Sequence, residues 1–209
     1  MMSQRPIPFS ADEQGHHIYH IAFLLRQKLI PDLVSDVMDK AEIYWTTTTQ
    51  TSLKRKVAVR EGNAPKEIMR SDAVASPSRI QQPVRKVVFN ISSHDQGWTS
   101  NPHDGSWTWF TAKKATPSED DASMRVAIEA TSRRFNLEQR ELCRNPVAQR
   151  NWQMHEITLR ADSQDIEEAE WVSFLKVGDV VALHAWAQFP GWVNVVQQAS
   201  ITFHTMAIV

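Results

Sequence analysis

From His16 onward the apolar residues Ile18, Ile21, Ala22, Leu25 and Leu29 recur at steps of three and four, the spacing of one helical face. Pro31 follows. A proline pushes the residue before it, here Ile30, away from helical angles, yet suits the first turn of a new helix. The stripe Val34, Val37, Met38, Ala41 and Trp45 predicts that second helix. Thr46–Thr49 then ends it, because consecutive β-branched residues with local hydroxyl bonding favour extended chain. Residues 1–15 are polar and proline-containing and read as a flexible tail, so residues 16–49 form a helical preface.

Past residue 50 the period falls to two. Leu53, Arg55, Val57 and Val59 alternate with Lys54, Lys56 and Arg60, which predicts an edge strand guarded by lysines over Leu53–Arg60. Residues 61–83, rich in Pro, Ser, Ala and Gln, read as a long connecting loop. Strand patterns then recur at Val84–Ile91, Ser106–Lys113, Met124–Ala130, Trp152–Leu159, Val180–Ala187 and Ala199–Ile208. The acidic stretch 114–123 reads as a loop, and 133–151 as holding one helical turn near Leu137–Leu142. Short strands without long helices between them predict a mainly β fold. The expectation is an antiparallel β-sandwich, jelly-roll or galactose-binding-like, over residues 50–209 behind the N-terminal helical pair.

Composition narrows the function classes. A hydrophobic content of 42% in 209 residues is enough for a sizeable core without disulfides. A formal charge of −1 makes no field that would gather nucleic acid. The lone cysteine, Cys143, excludes an internal disulfide and suits a reducing compartment, cytoplasmic or nuclear. No apolar run approaches the roughly 18 residues of a membrane span, and the N-terminus lacks a secretory apolar run. Six glycines and no Gly-rich phosphate loop argue against a dinucleotide or P-loop fold, so no cofactor is expected.

The chemistry that remains is aromatic. Of eight tryptophans, Trp107 and Trp109 sit two apart on one strand face and are expected in the core. Trp98 and Trp192 each follow a glycine in a loop, in SHDQGW and FPGW, where an indole can stack on a ligand. Asp95 and Gln96 beside Trp98 are the expected polar anchors. The pairs His94-Asp95 and His103-Asp104 suggest a divalent metal, but adjacent residues in extended chain point to opposite sides. Turn chemistry explains them better, and no metal is expected. His155-Glu156 lacks the second histidine of a zinc-protease helix, and Cys143 has no identifiable base partner.

The segments PVRKVVFNISSHDQGW (83–98), GSWTWF (105–110) and LKVGDVVALHAWAQFPGWVN (175–194) resemble an uncharacterised filamentous-fungal β-sandwich family. The likeness spans about residues 30–205 and implies a fold but no activity. Ile30–Met38 is similar to the opening of an F-box, with Ile30 in the leucine position, which implies docking to a ubiquitin-ligase adaptor. The turn to strand after Trp45 leaves room for that opening alone.

The expected function is a non-catalytic binding or interaction module. It would recognise a protein, glycan or small ligand through rim loops bearing Asp95, Gln96, Trp98 and Trp192. The alternative is an accessory isomerase, cyclase or hydrolase of fungal small-molecule metabolism, with His94 or Asp95 as acid/base and His103 nearby. The helices of residues 16–45 are a candidate surface for self-association.

Overall fold

The computed structural model describes residues 11–60, 65–77, 80, 82–115 and 139–207. Two helices, α1 (Ala11–Arg26) and α2 (Pro31–Lys40), lead into β1 (Tyr44–Arg60), β2 (Lys66–Arg70) and β3 (Val84–His94). A single 3₁₀ turn at Pro102–Asp104 precedes β4 (Thr108–Ala115). Then come β5 (Gln139–Arg144), β6 (Gln153–Arg160), α3 (Ile166–Ser173), β7 (Val180–Ala187) and β8 (Val193–Met206). The strands form two four-stranded antiparallel sheets, ordered β1-β8-β3-β6 and β2-β7-β4-β5. The mainly β, two-sheet fold expected from the alternation is the fold observed.

The core lies between the sheets. Val87, Phe89 and Ile91 of β3 and Ile201 and Phe203 of β8 face Phe110 and Ala112 of β4 and Leu183 and Ala185 of β7. Each fully buried large side chain stabilises the fold by about 1.5–3 kcal/mol. A second, smaller cluster joins Ile18, Ala22, Val34 and Met38 of the helices to Ala207. Tyr19, Phe23, Ile30 and Leu33 remain exposed on the helical pair. A cleft of about 10 Å³, the room one water needs, lies between Met38, Asp39, Tyr44 and Met206. Among the described residues no helix is long and apolar enough to cross a membrane.

Several boundaries differ from expectation, each for a physical reason. Helix α1 begins at Ala11, inside the stretch read as a tail; residues 1–10 lie outside the described residues. Helix α2 ends at Lys40, Glu42 takes φ 52°, and Trp45 is in β1. Trp45 lies seven residues after Met38, which suits a helical stripe, but pairing with β8 (Trp45 opposite Thr205) prevails over that period. The expected edge strand is the far half of β1, and β2 lies within the expected 61–83 loop. Gln139–Leu142, read as part of a helical turn, is strand, because β5 pairs with β4. Helix α3 was not foreseen. Asp165 caps it, its Oδ1 accepting from the amides of Glu167 and Glu168 at 3.0 and 3.4 Å, and Trp171 and Val172 bury its inner face. The expected strand Met124–Ala130 lies outside the described residues.

Candidate functional site

Strand pairing brings three connections to one end of the sandwich. His94 closes β3 beside Val195, Thr108 opens β4 beside Ala187, Arg144 closes β5 beside Trp109, and Gln153 opens β6 beside Ser93. The loops at 95–101, 145–152 and 188–192 therefore share a rim, and each lies on a connection that carries the chain from one sheet to the other.

Asp95 braces this rim from inside. It is 0% exposed. Its Oδ1 accepts from the amides of Gly97 and Gln149 at 2.7 and 2.9 Å, and its Oδ2 from that of Ala148 at 2.6 Å. Among the described residues every hydrogen bond its carboxylate makes goes to backbone, so Asp95 fixes two loops in place of the ligand anchor expected for it. Gln96 is a second staple. Its Nε2 donates to the Trp98 carbonyl at 2.7 Å, its Oε1 accepts from the Val193 amide at 3.2 Å, and its carbonyl accepts from Arg150 Nε at 3.3 Å.

The two loop tryptophans part company. Trp98 is 58% exposed, with the six-membered ring of its indole lying over Gly191, whose φ is +85°. Trp192 is only 8% exposed and is a plug under the rim; its amide donates to the Phe189 carbonyl at 3.3 Å and closes the turn. Phe189 takes the exposed place expected for Trp192. Its φ is +68°, a conformation bulky residues rarely adopt, and its ring is 44% exposed. That ring meets Trp107 edge to face, with centroids 4.6 Å apart.

Trp107 and Trp109 do not enter the core. Thr108, Phe110 and Ala112 point inward, so the alternate residue Trp109 lies half-buried on the outer face. There it stacks on Trp186 at 5.4 Å, with the Arg144 guanidinium over it at 5.4 Å. The face shared by the two tryptophans was read correctly but assigned to the wrong side of the sheet, because TWFTA carries apolar residues in both phases.

Beneath the rim a buried polar network ties the sheets together. Asn145 Oδ1 accepts from Ser93 Oγ at 2.7 Å and His155 Nε2 at 3.3 Å, while its Nδ2 donates to Thr108 Oγ1 and Asn194 Oδ1, both at 2.9 Å. Asn194 Nδ2 in turn donates to the carbonyls of Trp109 and Trp186 at 3.2 and 3.1 Å. A satisfied network of this kind rigidifies its surroundings. Burial holds the His155 imidazole below its usual value, favouring the neutral ring.

The acid/base alternative finds no assembled site among these groups. His94 Nδ1 donates to its neighbour's carbonyl, Asp95 O, at 2.6 Å, and its ring packs edge-on to Trp152 at 4.5 Å. The Asp95 carboxylate is fully engaged, and His103 stands exposed on the 3₁₀ turn. Burial, then the charge of Glu141, pushes the Cys143 thiol up to about 12, opposite to what a nucleophile needs. Among the described residues no three His, Cys, Asp or Glu side chains gather to hold a metal.

Trp98 is exposed on its loop as expected, and the rim and its base also hold Phe189, Arg150, Asn145 and Asn194, which the sequence did not single out. The FPG triplet marks a turn, but nothing in it says which neighbouring aromatic stays outside. No protein-family model matches the chain, and no curated protein matches it in sequence.

Proposed function

We propose that the protein is a binding module whose recognition surface is the aromatic rim formed by Trp98, Phe189 and Trp107. Asp95, Gln96 and Trp192 form its supporting base. The observation that carries this reading is Phe189. A phenylalanine at φ +68° is held in a region that costs about 1–2 kcal/mol for an L-residue, while exposing an apolar ring on the same rim as the exposed Trp98. Folding recovers part of that cost through the edge-to-face contact with Trp107 and the turn bond from the Trp192 amide, but it gains little from leaving the two rings exposed, whereas a contact surface uses them. The braced loops beneath keep the rings in place, which lowers the ordering cost on binding. The partner is a protein segment, a glycan or a small ligand with an apolar face.

The test is a parallel screen of glycans, metabolites and protein pulldowns with wild type and a Trp98→Ala, Phe189→Ala double variant of matched thermal midpoint. At least one ligand should be retained by wild type and lost by the variant. Identical hits from the two proteins would sink the proposal.

A further inference from the structure

Over Gly97, the residue before Trp98, lies an arginine with no carboxylate partner among the described residues. Arg70, Arg85, Arg140, Arg144 and Arg160 each pair with an acidic side chain. Arg150 pairs with none among the described residues; its side-chain hydrogen bond runs from Nε to the Gln96 carbonyl at 3.3 Å. The contact is built. The Arg150 stem packs over Gly97 so closely that a Cβ there would lie 1.9 Å from its Cγ. Gln96 holds both neighbours at once, Arg150 through its carbonyl and Trp98 through its Nε2.

An arginine anchored through Nε leaves its two terminal amino groups as parallel donors, a fork that matches carboxylate and phosphate oxygens. The neighbouring Asp95 carboxylate is buried and occupied by three backbone amides, and the exposed Arg150 makes no ion pair among the described residues. With a net charge of −1 the chain offers no general attraction for polyanions, and one local cation suits one anionic group.

Building on the rim reading above, we infer that the rim takes a small flat apolar body carrying one carboxylate or phosphate. Trp98 and Phe189 cover the body, and Arg150 takes the anion. The site is a rim and not an enclosed pocket, so affinity is modest and the charge decides selectivity.

The experiment is an NMR titration of the ¹⁵N-labelled full chain with 2-naphthoate, 2-naphthyl phosphate and the neutral 2-naphthylmethanol. Wild type should bind one of the anions at least about tenfold more tightly than the alcohol, as a charge-assisted hydrogen-bond pair implies. The shifts should centre on the Trp98 indole and Arg150 Nε. The tighter of the two anions names the group recognised. Arg150→Met keeps the stem over Gly97 and should bring the anion down to the level of the alcohol, leaving the alcohol unchanged; Arg150→Lys should restore part of the preference. Trp98→Ala should weaken all three compounds. Equal binding of anions and alcohol, or an anion preference that survives Arg150→Met, would overturn the assignment of Arg150 while leaving the aromatic rim standing. Absence of binding by all three compounds also overturns the inference. Binding that Trp98→Ala leaves unchanged counts against the rim itself.

Discussion

The Oδ2 atom of Asp95 accepts a hydrogen bond from the Ala148 amide at 2.6 Å, joining the loop after β3 to the turn after β5. Asp95→Ala would leave the amides of Gly97, Ala148 and Gln149 without their acceptor in a partly buried site. The expected loss is about 3–5 kcal/mol, several unsatisfied donors together. Urea unfolding measures it, and a loss under about 1 kcal/mol would show that the brace is not structural.

Gly97 separates backbone strain from steric contact. Its φ is +81° and the Arg150 stem occupies the space a Cβ needs, whereas Gly178, at φ +91°, has open space around it. Gly178→Ala should cost about 1 kcal/mol, from the left-handed conformation alone. Gly97→Ala should cost at least about twice that and should also shift the Arg150 side-chain resonances. Equal losses would mean that Arg150 simply swings aside.

The two loop tryptophans should respond oppositely to truncation. Trp98→Ala removes an exposed ring and should change stability by no more than about 0.5 kcal/mol. Trp192→Ala removes a buried one and should cost about 3–5 kcal/mol. Paired thermal or urea melts decide this, and similar effects from both would contradict the division between rim and base.

Much of the fold was legible because period-two alternation survives wherever one strand face is buried. Val87, Phe89 and Ile91 show it plainly. It failed where both phases are apolar, as in Trp109-Phe110, and where a strand is short and weakly apolar, as in Lys66–Arg70. It failed again at Gln139–Arg144, whose residues favour a helix until β4 supplies a partner. The site was half legible. A glycine before Trp98 and another before Trp192 marked both turns, but exposure depends on how two loops from different sheets meet. That meeting is set by Asp95, Gln96 and Asn145 through contacts about fifty or more residues apart in the chain.

Acid should weaken the protein through His204. Burial, then the charge of Lys86, pushes its imidazole down to about 4 from 6.5. Between those values the unfolded chain binds more protons than the folded one, so this stability is complete above about pH 6.5 and falls as pH drops toward 4. Its size is about 2–3 kcal/mol once partial solvent screening is allowed for. Burial also lowers His155 and His184, which act in the same direction. Glu42 adds a later loss. Hydrogen bonds from Lys86, then Arg160, hold it at about 2, so its contribution disappears as pH falls from 4.5 toward 2. Stability curves of wild type and His204→Gln should diverge between pH 6.5 and 4, with the variant flatter. Parallel curves would show that His204 titrates normally.

Where a ligand binds is the most direct measurement. With any ligand retained by wild type in the parallel screen, backbone and indole NMR shifts should concentrate at residues 96–99, Trp107, Arg150 and 188–191, with helices α1 and α2 unmoved. Shifts centred on the helical pair, or on the outer face of the β1-β8-β3-β6 sheet, would contradict the assignment of recognition to this rim.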